Sequence, residues 1–358
     1  MARFFPLTVT DVVHDTRDAV VVTLKPRDED REHFNFIQGQ YLTLRREFDG
    51  EEVRRSYSIC SGVDEGVIRV GIKRVKDGLF SSWANDNLVP GTEIDAMPPM
   101  GRFYTPLDPE AEKHYLGFAA GSGITPILSI IKSTLSREPK SKFTLVYANR
   151  QISSIMFREE LEDLKNLYLG RFSVIHILKA DAQEIDLFTG RIDEEKIRAL
   201  FANWVDPKSV DTVFICGPEE LMLTISASLR DHGFEDSQIK FELFAASQPT
   251  RRRAPVTTES AAPMGETISA VIKLDGASRT IEIARDGRTI LDAALEANID
   301  APYSCKAGIC STCRCKVLEG EVDMAVNHAL EDYEVRAGYV LSCQAQPLSD
   351  RVVVSFDE

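Results

Sequence analysis

The chain has 358 residues, 43% of them apolar and 27% charged, with a net charge of −14. These values allow a sizeable core and two or three domains, and they exclude the dense basic surface of a nucleic-acid binder. No run of about 18 apolar residues offers a membrane span, and the N-terminal stretch lacks the long apolar segment of a secretory leader, so a cytoplasmic protein is expected.

Residues 1–106 alternate apolar and polar side chains and are punctuated by glycine. Tyr41-Leu42-Thr43-Leu44, Val67-Ile68-Arg69-Val70 and Thr92-Glu93-Ile94 read as short antiparallel strands, the pattern of a β-barrel. Residues 107–246 change rhythm. Apolar strands at 114–120, 143–148, 172–178 and 213–216 alternate with helical stretches at 127–135 and 157–167, which implies an α/β domain on a parallel sheet. Residues 247–266 are rich in Pro, Ser, Thr and Ala and read as a linker; Arg251-Arg252-Arg253 within them reads as a solvated segment. The third block, 267–358, opens with strands at 269–274 and 279–283. A helix follows at 290–296, with Thr289 placed to cap it.

Seven cysteines are present, five of them in the last 54 residues. In a large chain without a leader, clustered thiols read as metal ligands before disulfides. Cys305, Cys310 and Cys313 form C-x4-C-x2-C, and Cys343 follows at a distance. That is the plant-type [2Fe-2S] spacing. A zinc site favours paired short spacings instead. The small residues Ala307, Gly308, Ser311 and Thr312 let the loop wrap closely and aim N–H groups at sulfur. Cys315 and Cys60 fall outside the pattern and read as small packed residues. Residues 267–358 thus resemble a plant-type ferredoxin domain of the β-grasp type, with Leu341-Ser342-Cys343-Gln344 where that family places its fourth ligand.

Arg55-Ser56-Tyr57-Ser58 matches the R-x-Y-S/T motif of the ferredoxin–NADP reductase superfamily. A guanidinium can pair bidentately with a phosphate, a tyrosine ring can stack on an isoalloxazine, and Ser58 can hydrogen-bond near flavin N5. Gly71-Ile72-Lys73-Arg74 resembles the superfamily segment beside the pyrophosphate. Gly78-Leu79-Phe80-Ser81-Ser82 resembles its phosphate turn, which opens a helix whose N–H groups suit a phosphate. Those turns imply FAD in preference to FMN, although some ferredoxin-fused relatives use FMN.

The strand at 114–120 runs into Gly121-Ser122-Gly123-Ile124-Thr125-Pro126, a glycine-rich turn that lets a pyrophosphate approach the backbone. Cys216-Gly217-Pro218 resembles the superfamily's C-G-P motif, whose cysteine lies beside the nicotinamide. Glu242 resembles its late glutamate near the flavin. By this resemblance Ser58, Cys216 and Glu242 are the catalytic candidates. No acid stands at the end of the second strand, where Ala148-Asn149-Arg150 falls. Arg150 could meet a 2′-phosphate, which favours NADPH over NADH.

The order flavin barrel, nucleotide domain, ferredoxin resembles the reductase components of multicomponent oxygenases, most closely the family of phenylacetyl-CoA epoxidase reductases. Gly50 to Cys60, Ala120 to Lys132 and Ala329 to Cys343 carry that likeness. It implies an NAD(P)H-dependent oxidoreductase whose electrons leave to a partner oxygenase, a di-iron multisubunit epoxidase. A Rieske-type hydroxylase or demethylase would be served by the same modules. The chain holds no oxygenase motif of its own, and its third block, with about six net negative charges, suits a basic docking partner.

Overall fold

The computed structural model describes residues 3–181, 183, 185–243 and 267–358. Backbone contacts group these into two compact units, one of 5–46 with 57–243 and one of 3–4, 47–56 and 267–358. The expected linker lies outside the described residues.

The first sheet has six strands: β1 (Phe5–Thr16), β2 (Ala19–Pro26), β3 (Tyr41–Phe48), β4 (Glu51–Ser58), β5 (Ile68–Lys73) and β6 (Glu93–Ala96), in the order β4-β3-β6-β1-β2-β5. The paired strands run antiparallel, with Val12 opposite Val22 and Val21 opposite Gly71. The period of two buries Phe5, Leu7 and Val9 on one face of β1. Helix α1 (Leu79–Asn87) follows β5 and begins after Gly78, as the phosphate-turn motif predicts.

The parallel sheet contains β7 (His114–Ala120), β8 (Lys142–Asn149), β9 (Phe172–Leu178), β10 (Thr212–Gly217) and β11 (Ile239–Leu243), in the order β11-β10-β7-β8-β9. Its helices are α2 (Ile124–Arg137), α3 (Arg158–Leu167), α4 (Glu194–Asn203) and α5 (Glu219–Asp231). Twelve of the fourteen residues of α2 are buried, because α2 packs between the sheet and the barrel. One apolar core runs across both: Ala19, Val21, Cys60 and Phe103 from the barrel side join Tyr115, Ile127, Phe143 and Phe214. Cys60 is a packed residue in this core. Its Sγ donates to the Arg69 carbonyl at 3.3 Å, and burial pushes the thiol up to about 12.

Polar contacts reinforce that seam. Arg69 pairs with Glu160 at 2.9 Å, Lys132 pairs with Glu65 at 2.7 Å and also with Glu160, and the Phe157 N–H donates to Asp15. Ser129 on α2 donates to the Ser61 carbonyl at 2.7 Å.

The C-terminal fold has β12 (Thr267–Leu274), β13 (Ala277–Ala284), α6 (Ile290–Glu296), β14 (Arg314–Glu319), β15 (Val322–Met324), α7 (Asp332–Arg336), β16 (Tyr339–Leu341), β17 (Ala345–Pro347) and β18 (Arg351–Ser355). A mixed sheet runs β13-β12-β18-β14-β16, with β12 and β18 parallel, and β15 pairs with β17 apart from it. The Thr289 hydroxyl accepts from the Asp292 N–H and caps α6, as expected. The core under α6 gathers Ile268, Ile272, Ile290, Leu291, Leu341 and Val354. No described helix is long and apolar enough to cross a membrane.

Candidate redox centres

The cluster loop connects α6 to β14. Its chain reverses at Lys306 and Gly308, both with positive φ, +52° and +75°. A Cβ on Gly308 would lie 2.7 Å from the Val326 carbonyl oxygen, so only glycine lets the loop fold this tightly. The reversal aims N–H groups at sulfur: Ala307 and Cys310 each donate to Cys305 Sγ at 3.4 Å. Hydrogen bonds from the Cys310 thiol and from backbone N–H groups hold the Cys305 thiol down at about 5.

Among the described residues no three His, Cys, Asp or Glu side chains close round a single ion. The cysteines instead associate two by two. Cys310 Sγ lies 3.2 Å from Cys305 Sγ, and the neighbouring Cys343 thiol pushes the Cys313 thiol well above its ordinary value. Two pairs are what two irons need, so the donor set fits a [2Fe-2S] cluster better than a mononuclear metal. Cys315, one residue beyond Arg314, is buried on β14 and belongs to the core.

A second site forms where β4 meets the C-terminal ends of β10 and β11. Ser58 Oγ donates to Glu242 Oε2 at 3.2 Å, across 184 positions of sequence. Cys216 stands directly opposite Glu242 in the β10–β11 register. The structure therefore gathers Ser58, Cys216 and Glu242 at one place. Burial pushes the Glu242 carboxyl up to about 8, against the opposing pull of Ser58. Burial also raises the Cys216 thiol well above its ordinary value, and Glu242 adds to this. Below about pH 8 both groups are therefore mainly neutral.

The glycine turn after β7 reaches the same place. A Cβ on Gly123 would sit 2.2 Å from the Cys216 carbonyl oxygen, so the turn packs directly on the strand that carries Cys216. Thr125 is buried and donates to the Ser122 carbonyl at 3.0 Å, which closes the turn. Gly217 ends β10, and Pro218 precedes the first turn of α5. Asn149 is buried at the end of β8 with both amide atoms lacking a hydrogen-bond partner. Buried orphans of this kind call for a ligand. Arg150, beside it, is exposed.

Along β4, β5 and α1 the remaining candidates are spread out. The Tyr57 ring meets the Phe80 ring at 5.6 Å between centroids. Ile72 is wholly buried, and Lys73 lies 3.7 Å from Asp18. Ser81 builds its own turn, accepting from the Val75 N–H at 3.1 Å and donating to the Gly78 carbonyl; Ser82 is the less buried neighbour. Arg55 is exposed and donates one N–H to the Arg54 carbonyl at 2.7 Å. The Ser56 hydroxyl donates to Ser304 Oγ at 2.9 Å. Sequence reasoning passed over Arg54, a buried residue paired with Asp300, because its doubled neighbour Arg55 completes the motif and Arg54 matches none.

Three domain families match in chain order: oxidoreductase FAD-binding domain over 6–104, oxidoreductase NAD-binding domain over 118–227, and 2Fe-2S iron-sulfur cluster binding domain over 272–348. A component of the 1,2-phenylacetyl-CoA epoxidase of Escherichia coli K12 is 43% identical over 357 residues, covering 100% of this chain and 99% of that one. The ferredoxin reductase component of a 3-ketosteroid-9-alpha-monooxygenase from Rhodococcus rhodochrous is 35% identical, covering 99% and 97%. The chain belongs to the reductase components of oxygenase systems. Such a reductase uses FAD, NAD(P)H and a [2Fe-2S] cluster. Phthalate dioxygenase reductase shares the fold with a TM-score of 0.59 and 23% identity, over 99% of this chain and 98% of that one. A type IV self-sufficient cytochrome P450 monooxygenase gives a TM-score of 0.71 over 98% of this chain, which spans only 41% of that larger protein.

Proposed function

We propose that this chain takes a hydride from NADPH and delivers single electrons to the oxygenase of a phenylacetyl-CoA epoxidase. The observation that carries the hydride chemistry is the convergence of Ser58, Cys216 and Glu242 in a partly buried pocket. The end-to-end likeness to an epoxidase component supports the partner. Domain limits follow the motifs: a flavin barrel to residue 106, a nucleotide domain from 107 to 246, and a ferredoxin domain from 267.

The residues divide the work by their positions. Arg55, free on the surface of β4, meets the flavin phosphates with its remaining donors. Tyr57 covers one face of the ring system, and Ser58 bonds near its reactive nitrogen. Ile72, Lys73, Phe80 and Ser82, with the α1 N-terminus shaped by Ser81, line the pyrophosphate. Gly121, Gly123 and Thr125 admit the pyrophosphate of the nicotinamide nucleotide. Gly217 and Pro218 leave room for its nicotinamide beside Cys216. Asn149 and Arg150 hold its adenosine end, and the Arg150 guanidinium suits a 2′-phosphate. Cys305, Cys310, Cys313 and Cys343 hold the irons. Bound flavin supplies the conversion between a two-electron donor and a one-electron acceptor. Glu242, protonated at neutral pH, keeps a carboxylate charge away from the reacting atoms. Seven cysteines, none in a disulfide, suit a reducing cytoplasm.

The test is anaerobic titration with NADPH and then NADH, followed by absorbance. Loss of the flavin bands and then of the cluster bands is expected, with NADPH the better donor. Flavin that stays oxidised under both nucleotides in the fully loaded protein would refute the hydride assignment. For the partner, electron delivery to a phenylacetyl-CoA epoxidase oxygenase is compared with delivery to other oxygenases. A second reading, service to a different oxygenase, draws on the 35% identity to the ketosteroid monooxygenase component and predicts the reverse preference.

A further inference from the structure

Strand β5 meets the nucleotide turn at a residue without a side chain. A Cβ on Gly71 would lie 2.7 Å from Thr125 Cγ2, 3.1 Å from Met156 Cε and 3.2 Å from Phe157 Cζ. Carbon atoms in ordinary contact stand about 3.5–4.0 Å apart. The Thr125 methyl therefore already occupies the space that a side chain at position 71 would need. This junction lies in the same compact unit as Ser58, Cys216 and Glu242.

The neighbours are held in place. Thr125 is 1% exposed, and its hydroxyl is tied back to the Ser122 carbonyl at 3.0 Å, which leaves the methyl turned toward Gly71. A β-branched side chain has few other rotamers to adopt. Phe157 is buried with a left-handed backbone, φ +56°, and its N–H donates to both Asp15 carboxylate oxygens at 3.1 and 3.0 Å. Only the Met156 thioether end is free to yield. The turn is seated a second time through Gly123, on the strand that carries Cys216. Two contacts without side chains thus fix it between β5 and β10. Glycine inside a strand costs stability and marks a place where something approaches the backbone closely. What approaches here is the turn proposed to carry the nicotinamide nucleotide, and the next two residues, Ile72 and Lys73, are proposed to line the flavin pyrophosphate.

We propose that Gly71 is a positioning residue, whose missing side chain lets Thr125 seat the nucleotide turn on the flavin strand and so sets the separation across which the hydride passes. The inference rests on the reading of β5 as a flavin strand and of residues 121–126 as the nucleotide turn. The step it serves moves one hydride, a proton with two electrons, from NADPH to oxidised flavin. One C–H bond breaks, one N–H bond forms, and NADP+ and reduced flavin result. Relief of a 2.7 Å contact to ordinary distance moves the turn by about 1 Å, a misplacement that costs up to about 10²-fold in rate.

The experiment uses the full-length protein with both cofactors bound, mixed anaerobically with NADPH, and compares Gly71→Ala on two backgrounds, the natural Thr125 and Thr125→Ser. Serine keeps the hydroxyl that closes the turn and removes the methyl that a Cβ at position 71 would strike. With Thr125 present, Gly71→Ala is expected to slow flavin reduction at saturating NADPH by roughly tenfold or more, while the calorimetric affinity for NADP+ changes by less than about threefold. The shift that NADP+ induces in the oxidised flavin bands is expected to weaken. On the Thr125→Ser background the same substitution is expected to slow the reaction by less than about threefold. Should Gly71→Ala shed its flavin, the double variant is expected to retain as much as Thr125→Ser does. An equal cost on both backgrounds would overturn the proposal, as would an unaltered rate and unaltered bands in Gly71→Ala. Loss of NADP+ affinity in proportion to the rate would also overturn it and make Gly71 a residue of binding alone. Flavin that stays oxidised in the unaltered protein would instead strike at the hydride reading.

Discussion

Three of the four cysteines proposed to hold the cluster come from nine consecutive residues, 305–313, whereas Ser58, Cys216 and Glu242 come from three strands in two different sheets. The cluster loop carries its own geometry. Its N–H groups, its positive φ angles and its glycine all act within a few residues of the sulfurs. The proposed hydride site has no such local frame. It exists only while the barrel and the parallel sheet keep their seam, through the shared core and the Arg69–Glu160–Lys132 contacts. Damage to the seam should therefore disable the hydride site and spare the cluster. Damage to the loop should do the opposite.

The sharpest separation comes from the ligand that is not in the loop. Cys343→Ser removes a thiolate from the Cys313 pair and should abolish the intact [2Fe-2S] cluster, with loss of its iron and its visible bands. Flavin bleaching by NADPH should survive. Full iron content in the variant would show that the pairing of sulfurs seen here does not define the ligand set.

The hydride site is next. Burial sets the Glu242 carboxyl near 8, so it holds its proton below that pH and loses it above. Flavin reduction is expected to fall as pH rises through about 8. Glu242→Gln, neutral at every pH, should flatten that limb and change the rate by up to roughly 10²-fold. The same shift carries a stability consequence. Between the ordinary carboxyl range near 4.5 and the raised value near 8, the folded chain binds the extra proton. Its contribution is complete at low pH and is lost as pH rises through that window. An unchanged pH limb in Glu242→Gln would assign it to another group.

The seam itself is tested at Glu160. Burial raises its carboxyl, but Arg69 and Lys132 outweigh this and hold it below its ordinary value. With a lowered value, its contribution is present above the unfolded carboxyl range and is lost as pH falls. Glu160→Gln leaves two cations without their shared partner and should cost about 2–3 kcal/mol, below the fully buried case because the group is a quarter exposed. Unfolding followed by flavin release should shift, while unfolding followed by cluster absorbance should not. Equal shifts in both signals would break the contrast between the two centres.

Much of this was legible in the sequence, for physical reasons that differ by site. The 2Fe-2S domain could be read because a tight loop leaves its cysteine intervals in the sequence. Both C-G-P and G-x-G-x-x-P mark strand ends, so their places on β10 and after β7 could be read as well. The β7–α2 turn, the α6 cap at Thr289 and the alternation of the barrel strands are local rules of the same kind. The direct Ser58–Glu242 bond was not legible, because nothing in either segment encodes the other; only a resemblance hinted at Glu242. Glu160, Lys132 and Arg54 were invisible for a related reason. A charged residue in an amphipathic helix or an alternating strand looks like a solvated face until the partner across the fold is known.

The smallest effect is expected on the solvent side of the same seam. Asp64 and Arg137 join the loop after β4 to the end of α2 through a two-pronged pair, with Nη2 to Oδ1 at 2.7 Å and Nε to Oδ2 at 3.0 Å. The geometry is good, and the hydrogen bond from Arg137 holds the Asp64 carboxyl below its ordinary value. Yet the two side chains are 46% and 49% exposed, so water and salt screen most of the attraction. Asp64→Asn should cost less than about 1 kcal/mol at low ionic strength, and the difference should shrink when salt is raised. Glu160→Gln, measured beside it, should keep most of its cost at high salt, because its partners are partly shielded from counterions. Two variants on one seam, alike in charge and different in burial, then separate packing from surface electrostatics. If Asp64→Asn matched Glu160→Gln in size and in salt response, burial would not be what makes the seam hold the hydride site together.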